Sequence, residues 1–286
     1  MEISNLTKNR IKEYLNKGTR FDGRELTEFR DISIETGISN KAEGSARVKI
    51  GKTEVLAGVK MSISEPYADG PEDGTMMVTV ELLPLSSPNY ELGPPKFKAI
   101  ELGRITDRGI RHSGFIDFKK LCIEEGKKVW TIFIDIYSIN DNGNLVDASA
   151  IAAVAALRDA KIPVINEETG RVKFGEWTEE RLPLVMEKNP INITFSKIGN
   201  SIIIDPISEE EDSAESRVSV GLITYDKKVM ISSIQNGEPT EFGIDELGKI
   251  FDKAEEMYLK LGKDVNNKIE EGIKRNNKKW WRVLKT

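Results

Sequence analysis

The chain has 286 residues, with 42 basic and 47 acidic residues that give a net charge of −5, and one cysteine and one histidine. Its 38% apolar and 31% charged content fits a folded chain of one large domain or two ordinary ones. The single Cys122 excludes an internal disulfide, and the single His112 argues against His-based metal binding or catalysis. The net negative charge excludes attraction of nucleic acid by the protein as a whole, so any contact depends on a local basic patch.

The chain also lacks the patterns of membrane and exported proteins. No apolar run approaches the roughly 20 residues that cross a bilayer. The start, Met1–Asn5, does not have the charged-then-apolar layout of a signal peptide. We therefore expect a cytoplasmic protein with no membrane partner.

The N-terminal third predicts one helix followed by strands. Ser4–Lys17 is amphipathic and Gly18 is expected to stop it, while the pair Gly51-Lys52 favours a tight hairpin. The predicted strands are Asp31–Thr36, Ser45–Ile50, Glu54–Ser62 and Met76–Leu83. The proline-rich stretch Pro84–Pro95 is predicted to be a loop.

A helix predicted from Ala99 to about Gly114 carries the main candidate binding residues. Arg104, Arg108 and Arg111 are spaced i, i+4, i+7, which places the three guanidinium groups on one helical face. Such a row could track a phosphate backbone, because arginine pairs bidentately with phosphate. Glycines in the same helix permit close backbone approach. The alternative is an exposed face whose arginines pair with Glu101 and Asp107.

A strand-turn-helix corner follows. The strand Val129–Ile139 leads through the turn Asp141–Asn144 into an alanine-rich helix, Asp147–Ala160. A helix N-terminus can bind an anion, but Asp147 is predicted to be the N-cap, to occupy the free N–H groups and to repel phosphate. The pattern therefore favours an ordinary capped helix.

The last third predicts a turn-rich segment, more strands and a long helix. The turn-rich segment is Glu167–Gly175, and the strands are Ile191–Lys197, Ser201–Asp205, Arg217–Thr224 and Lys228–Gln235. The acidic run Glu209–Asp212 is interpreted as a solvated loop, and the alternative is that it forms a divalent-ion or general-acid site together with Asp205. A helix from about Ile244 to Lys274 precedes the tail Lys278–Leu284, which could stack on bases or pack on the core.

Four strands followed by a helix occur twice, which predicts an α+β architecture of two similar halves packed as one compact unit. The expected divisions are an N-terminal helix over 1–18, a first half over 30–165 and a second half over 190–260. We expect the C-terminal helix to continue to about residue 278.

Several linked motifs resemble those of the RNase PH family over about residues 5 to 260. The resemblance implies the fold of that family, which is described as ribosomal protein S5 domain 2-like. The block Arg20–Arg24 with Glu28 and Arg30 resembles its opening motif, and Gly44–Ala57 resembles its Gly-Ser strand hairpin. A narrower resemblance, to the non-catalytic ring subunits of the archaeal exosome, depends on Glu81–Ser87, Gly93–Pro95 and Asp107–Arg111.

The resemblance implies membership of a complex that degrades RNA 3′→5′ with phosphate. Active and inactive subunits would alternate in a six-membered ring, with RNA-binding cap proteins on one face. In active relatives the corner carries a hydroxyl and an arginine that grip phosphate, whereas Leu145 and Val146 stand here. The catalytic aspartate that follows six residues after a strand-end aspartate corresponds, counted from Asp205, to Glu211.

The resemblance therefore implies a subunit without catalytic residues, cofactor or metal. It would scaffold the ring, help to structure the partner's active site and bind single-stranded RNA through Arg104, Arg108 and Arg111. The alternatives are an active phosphorolytic exoribonuclease and a pure interaction module that does not bind RNA.

Overall fold

A computed structural model of the chain describes residues 3–166, 168–237 and 241–283, with side chains up to residue 276. The helices are α1 (Asn5–Asn16), α2 (Phe97–Arg111), α3 (Leu145–Asp159), α4 (Ser208–Glu211) and α5 (Ile244–Val283). Within these residues no helix is both long enough and apolar enough to span a membrane.

The described residues include twelve strands, which form three sheets. Those of the first half of the chain are β1 (Ile32–Thr36), β2 (Gly44–Ile50), β3 (Thr53–Ser64), β4 (Thr75–Leu82), β5 (Cys122–Glu124) and β6 (Lys128–Asn140). The others are β7 (Lys161–Ile165), β8 (Val172–Arg181), β9 (Ile191–Ile198), β10 (Ser201–Ile204), β11 (Ser216–Tyr225) and β12 (Lys228–Asn236).

The first sheet has the order β1-β2-β3-β6-β4, with β5 paired to β6. All of its pairs are antiparallel except β4 with β6, which is parallel. Strands β2 and β3 are joined by the predicted two-residue turn, in which Gly51 has a φ of 56°. The second sheet is antiparallel in the order β10-β9-β11-β12, and β7 pairs with β8 separately.

The alanine-rich helix α3 lies at the centre of the fold. It contacts β2 and β3 of the first sheet, β9 of the second sheet and helix α2. Every residue from Leu145 to Arg158 is buried, since small side chains let the neighbouring elements approach on all sides. Gly44 on β2 is required by this packing, because a Cβ there would lie 2.3 Å from the carbonyl oxygen of Ala156.

The α+β architecture of two sheet-and-helix halves is confirmed, and every predicted strand boundary lies within two residues of the observed one. The turn-rich prediction over Glu167–Gly175 was wrong from Val172 onward, where β8 begins, and residue 167 lies outside the described residues. Most of β8 is exposed and half of its residues are charged, so it lacks the apolar alternation that marks a strand. The short edge strand β5 was missed as well.

Candidate nucleic-acid interface and strand-helix corner

Helix α2 packs along the edge strand β4, and a groove of about 610 Å³ lies between them. Arg104 and Arg108 line this groove and are exposed. The Arg108 Nη1 donates to Gln235 Oε1 on β12 at 2.9 Å, so the second sheet helps to orient this side chain. Among the residues that the structure describes, Arg104 has no carboxylate partner. Two cations are therefore presented to solvent beside a groove whose lining also includes Glu81 and Asp107.

Arg111 has a different environment. Its Nε and Nη2 donate to the Asp107 carboxylate at 2.9 and 2.6 Å, and Nη2 also donates to the carbonyl oxygen of Met76 at 2.7 Å. The guanidinium lies 5.9 Å from the centre of the Phe118 ring. Arg111 thus belongs to the same helical face, but much of its hydrogen-bonding capacity is used within the chain.

The expected partners of the arginine row are only partly found. Asp107 pairs with Arg111, whereas Glu101 pairs with Arg217 of β11 at 2.5 Å. Of the α2 glycines, Gly103 lines the groove and Gly109 does not, and both lie against neighbouring strands. A Cβ at Gly103 would lie 3.3 Å from the Val78 carbonyl oxygen, and Gly109 lies against Asn192 of β9. Their close approach therefore serves packing.

The corner between β6 and α3 differs from its prediction in one respect. Asn144, with a φ of 58°, is the N-cap, and its Oδ1 accepts from the Asp147 N–H at 3.5 Å. The prediction that Asp147 caps the helix was wrong, because the helix begins two residues earlier, at Leu145. Gly143 precedes the cap with a φ of 81°, and a Cβ there would lie 2.4 Å from the Pro206 carbonyl oxygen.

Asp147 instead faces the second sheet and is fully buried. Its carboxylate accepts from the Thr194 N–H at 3.1 Å, from Thr194 Oγ1 at 2.8 Å and from Asn144 Nδ2 at 2.9 Å. Burial raises the pKa of Asp147 to about 7, although these three donors act in the opposite direction. The carboxyl joins the corner to β9 and does not face an anion site.

Leu145 and Val146, which the resemblance aligns with the expected phosphate-binding positions of active relatives, are 1% and 3% exposed. Both belong to the main hydrophobic core. Neither side chain can bind an anion by hydrogen bonds, since neither has a donor. The first turn of α3 therefore contributes apolar packing in place of side-chain phosphate ligands.

Three arginines from the opening motif hold the corner together around Asp205, which follows β10. Arg30 pairs with the Asp205 carboxylate at 2.6 Å and Arg24 pairs with it at 2.9 Å. Arg30 also donates to the carbonyl oxygens of residues 142 and 143 of the turn. Burial favours the neutral acid, but the hydrogen bonds and charge of Arg30 hold the pKa of Asp205 below its ordinary value. The third arginine, Arg20, is buried and pairs with Glu210.

The residues alone predict no role for Arg20, Arg24 and Arg30, and they offer Asp205 and Glu210 only as part of a divalent-ion or general-acid site, whereas the structure pairs both acids with these arginines. The signal in the sequence is the opening motif, which contains all three arginines. Their partners lie about 180 residues further along the chain, and no spacing rule connects such distant positions.

The interpretation of the acidic run Glu209–Asp212 as a solvated loop was wrong for part of the run. Residues up to Glu211 form helix α4, and Glu210 is fully buried because it neutralises Arg20. Glu211 and Asp212 line a cavity beside the corner. In the described part of the chain, no group of three or more acidic, histidine or cysteine side chains is arranged to hold a metal ion. The side chains of the basic tail lie outside the described residues.

Two packed sheet-and-helix halves, joined through a strand-helix corner and an opening arginine motif, define an RNase PH-type protein. The family model described as 3′ exoribonuclease family, domain 1, matches residues 28–163, and the model of domain 2 matches residues 188–256. The chain belongs to this family.

Relatives and solved structures agree with this assignment. A Methanothermobacter thermautotrophicus protein is 48% identical over 220 residues, covering 77% of this chain and 80% of the relative. A Pyrococcus horikoshii protein is 42% identical over 276 residues, covering 96% and 97%. Both are named exosome complex component Rrp42.

Two solved structures also superpose on this chain. An Archaeoglobus fulgidus exosome with RNA bound to the active site has a chain with a TM-score of 0.82 and 36% identity, covering 91% of this chain and 98% of that one. A structure described as an archaeal exosome core gives a TM-score of 0.79 at 33% identity, covering 92% and 97%.

Proposed function

We propose that this chain is a non-catalytic subunit of an archaeal-type exosome, a complex that degrades RNA from the 3′ end with phosphate. Its relatives are named as exosome components, and they span nearly the whole chain. In the proposed ring it alternates with a catalytic RNase PH-like subunit, while RNA-binding cap proteins cover one face. The complex works in the cytoplasm.

The observation that carries the non-catalytic assignment is the burial of Leu145 and Val146 in the apolar core. A phosphorolytic site must hold the attacking phosphate with preorganised donors. Here the corner uses its own arginines on Asp205 and on turn carbonyls. The chain's contribution to the reaction would be to position RNA and to support the neighbouring active site.

The proposed RNA contact is the groove between α2 and β4. Arg104 and Arg108 are exposed there, and Arg111 lies at the far end of the same face. Exposed guanidinium groups attract phosphates despite the net negative charge of the chain, because the field near a surface depends on local charges. Arg111, held by Asp107, would add a positioned donor rather than a mobile charge.

Three preparations test this proposal: the purified chain, the purified catalytic partner, and the two co-expressed. Each is incubated with RNA, Mg²⁺ and inorganic phosphate, and nucleoside diphosphates are measured. We expect no release from the chain alone and maximal release from a defined hetero-oligomer. Release of nucleoside diphosphates by the chain alone would establish the alternative, an active exoribonuclease. Full activity of the partner, unchanged by the chain, would remove the supporting role.

A further inference from the structure

A second, smaller pocket, of about 330 Å³, lies beyond the far end of the arginine row of α2. Its walls are the loop over residues 67–74, the start of β4, Arg111 and Phe118. Arg111 lines this pocket while Asp107 lines the groove, so the ion pair between them, at 2.6 Å, separates the two spaces. An extended polymer that follows the groove past Arg111 therefore reaches this pocket next.

Two aromatic side chains line the pocket. Tyr67 is 66% exposed, and in the described part of the chain no other ring packs on it. Phe118 is half-buried, packs on the core and lies beside the Arg111 guanidinium. The Phe118 ring is therefore used by the chain itself, whereas the Tyr67 ring is open to a ligand. An exposed aromatic ring next to a cationic groove is the kind of surface on which an unpaired RNA base stacks.

The loop that carries Tyr67 is fixed by hydrogen bonds of its own backbone. The Gly70 N–H donates to the Tyr67 carbonyl oxygen at 3.1 Å, and the Asp73 N–H donates to the Gly70 carbonyl oxygen at 3.0 Å. The Gly74 N–H donates to the Phe118 carbonyl oxygen at 2.9 Å, which ties the loop to another wall of the pocket. The pocket thus loses little conformational entropy when a ligand binds.

The charges of the pocket select a base over a phosphate group. Asp69 and Asp73 line it, and neither carboxylate has a hydrogen-bond or ion-pair partner among the residues that the structure describes. Arg111, the cation of this lining, is already paired with Asp107. Two unpaired carboxylates repel a phosphate group, but they accept hydrogen bonds from the N–H groups at the edge of a base.

Guanine matches these acceptors best. Its N1–H and N2–H₂ groups point in the same direction, so one carboxylate can accept from both at once. Adenine and cytosine offer such a carboxylate one amino group each, and uracil offers one imino group. Stacking on an aromatic ring is available to every base, so the ring contributes affinity and the carboxylates contribute the preference.

We propose that this pocket is a subsite for one base of single-stranded RNA, with guanine preferred. The base stacks on the Tyr67 ring, and its Watson–Crick edge donates to the carboxylates of Asp69 and Asp73. The RNA backbone on the groove side lies along Arg104 and Arg108. The inference depends on the proposed function, since it extends the RNA contact of the groove by one nucleotide.

The first test is a titration of single-stranded RNA with the co-expressed complex of this chain and its catalytic partner, without phosphate so that the RNA stays intact. Tyr67→Ala should weaken binding about 5- to 20-fold, because a stacked base is lost, whereas Tyr67→Phe should keep the ring and the affinity. Tyr225→Ala, which removes an exposed tyrosine of the second sheet, is the matched control and should leave the affinity unchanged. Equal RNA affinities of the Tyr67→Ala and Tyr225→Ala complexes would overturn the inference.

The second test measures the base preference. A uridine-rich RNA carries a single guanine at successive positions, and its affinity is compared with that of the all-uridine RNA. We expect one position at which guanine strengthens binding about fivefold or more, and loss of this preference in the variant Asp69→Asn with Asp73→Asn. Glu72→Gln, on the same loop but not in the pocket lining, is the matched control and should keep the preference. A preference that survives in the double variant, or none in the unaltered complex, would contradict the inference.

The arginines of the groove separate failure of the inference from failure of the proposed function. Arg104→Glu combined with Arg108→Glu should weaken RNA binding whether or not the pocket takes a base. If it does so while Tyr67→Ala has no effect, the inference is wrong and the proposed RNA contact stands. If neither variant changes the RNA affinity, the proposed RNA contact is wrong as well.

Discussion

The corner and helix α2 each carry three arginines, and the two sets make different contacts. Arg20, Arg24 and Arg30 at the corner are almost fully buried and bind carboxylates and backbone carbonyls of the same chain. Arg104 and Arg108 are exposed, and Arg111 is intermediate. Whether an arginine can bind a ligand is decided by the partners that the fold brings to it, and these come from distant parts of the sequence.

The largest expected effect is on stability at the corner. Asp205→Ala leaves Arg24 and Arg30 buried without their carboxylate, which should lower the free energy of unfolding by about 3–5 kcal/mol. Denaturant unfolding followed by circular dichroism measures this. Glu35→Ala, which removes an exposed partner of Arg47, is the control and should cost less than about 1 kcal/mol. Similar losses in both variants would mean that the Asp205 network is not structural.

Substitutions in the groove should have the opposite pattern of effects: a large loss of RNA affinity and a small change in the free energy of unfolding. Arg104→Glu combined with Arg108→Glu should weaken binding of RNA by the assembled complex by about 10- to 100-fold, since two phosphate contacts become repulsions. Filter binding at several salt concentrations should also show a shallower salt dependence. Arg10→Glu with Lys17→Glu, at exposed positions on α1 and just after it, is the charge-matched control. Unchanged RNA affinity in the groove variant would support the pure interaction module.

The corner also predicts a dependence of stability on pH. The pKa of Asp147 in the folded chain is about 7, above the ordinary value of 3.8, so the folded state binds the proton more tightly than the unfolded state. The stabilisation of the folded state by this tighter proton binding is complete below about pH 4 and is lost as the pH rises through 7. Between pH 5 and 7 the free energy of unfolding should fall by about 1.4 kcal/mol per pH unit. Denaturant unfolding of the chain and of Asp147→Asn across this range measures the difference. Parallel pH profiles would show that Asp147 is ionised throughout.

Arg111 should give the smallest change in RNA binding. Arg111→Ala removes the bonds to Asp107 and to the Met76 carbonyl, so we expect a loss of about 1 kcal/mol in unfolding free energy and less than about a threefold change in RNA affinity. Thermal unfolding and filter binding on the same preparation separate the two effects. A loss of RNA affinity equal to that of Arg108→Ala would show that the Asp107 pair opens when RNA binds.

The sequence predicts those features of the structure that depend on residues close together in the chain, and it fails for those that depend on distant residues. Strands with apolar alternation, such as Ile32–Thr36, were located to within two residues, because their pattern is local. The exposed strand Val172–Arg181 has no such pattern and was missed. The sequence predicts Asp147 as the N-cap, because the left-handed conformation of Asn144 cannot be inferred from composition.

The candidate site shows the same limit. Spacing placed the three arginines of α2 on one face, but it could not show that Arg111 is held by Asp107 and Met76 while Arg104 is not. The Asp205 network joins the beginning of the chain to residues far along it, and only folding brings these together.

Helix α3 has a consequence for how the molecule unfolds. Because the first sheet and the second sheet both pack on it, neither half can open without exposing the apolar surface of the same helix. The two halves should therefore melt together in a single cooperative transition, despite their separate sheets. Amide hydrogens of Ile151–Leu157 should exchange with solvent only through global opening, at the slowest rates in the protein.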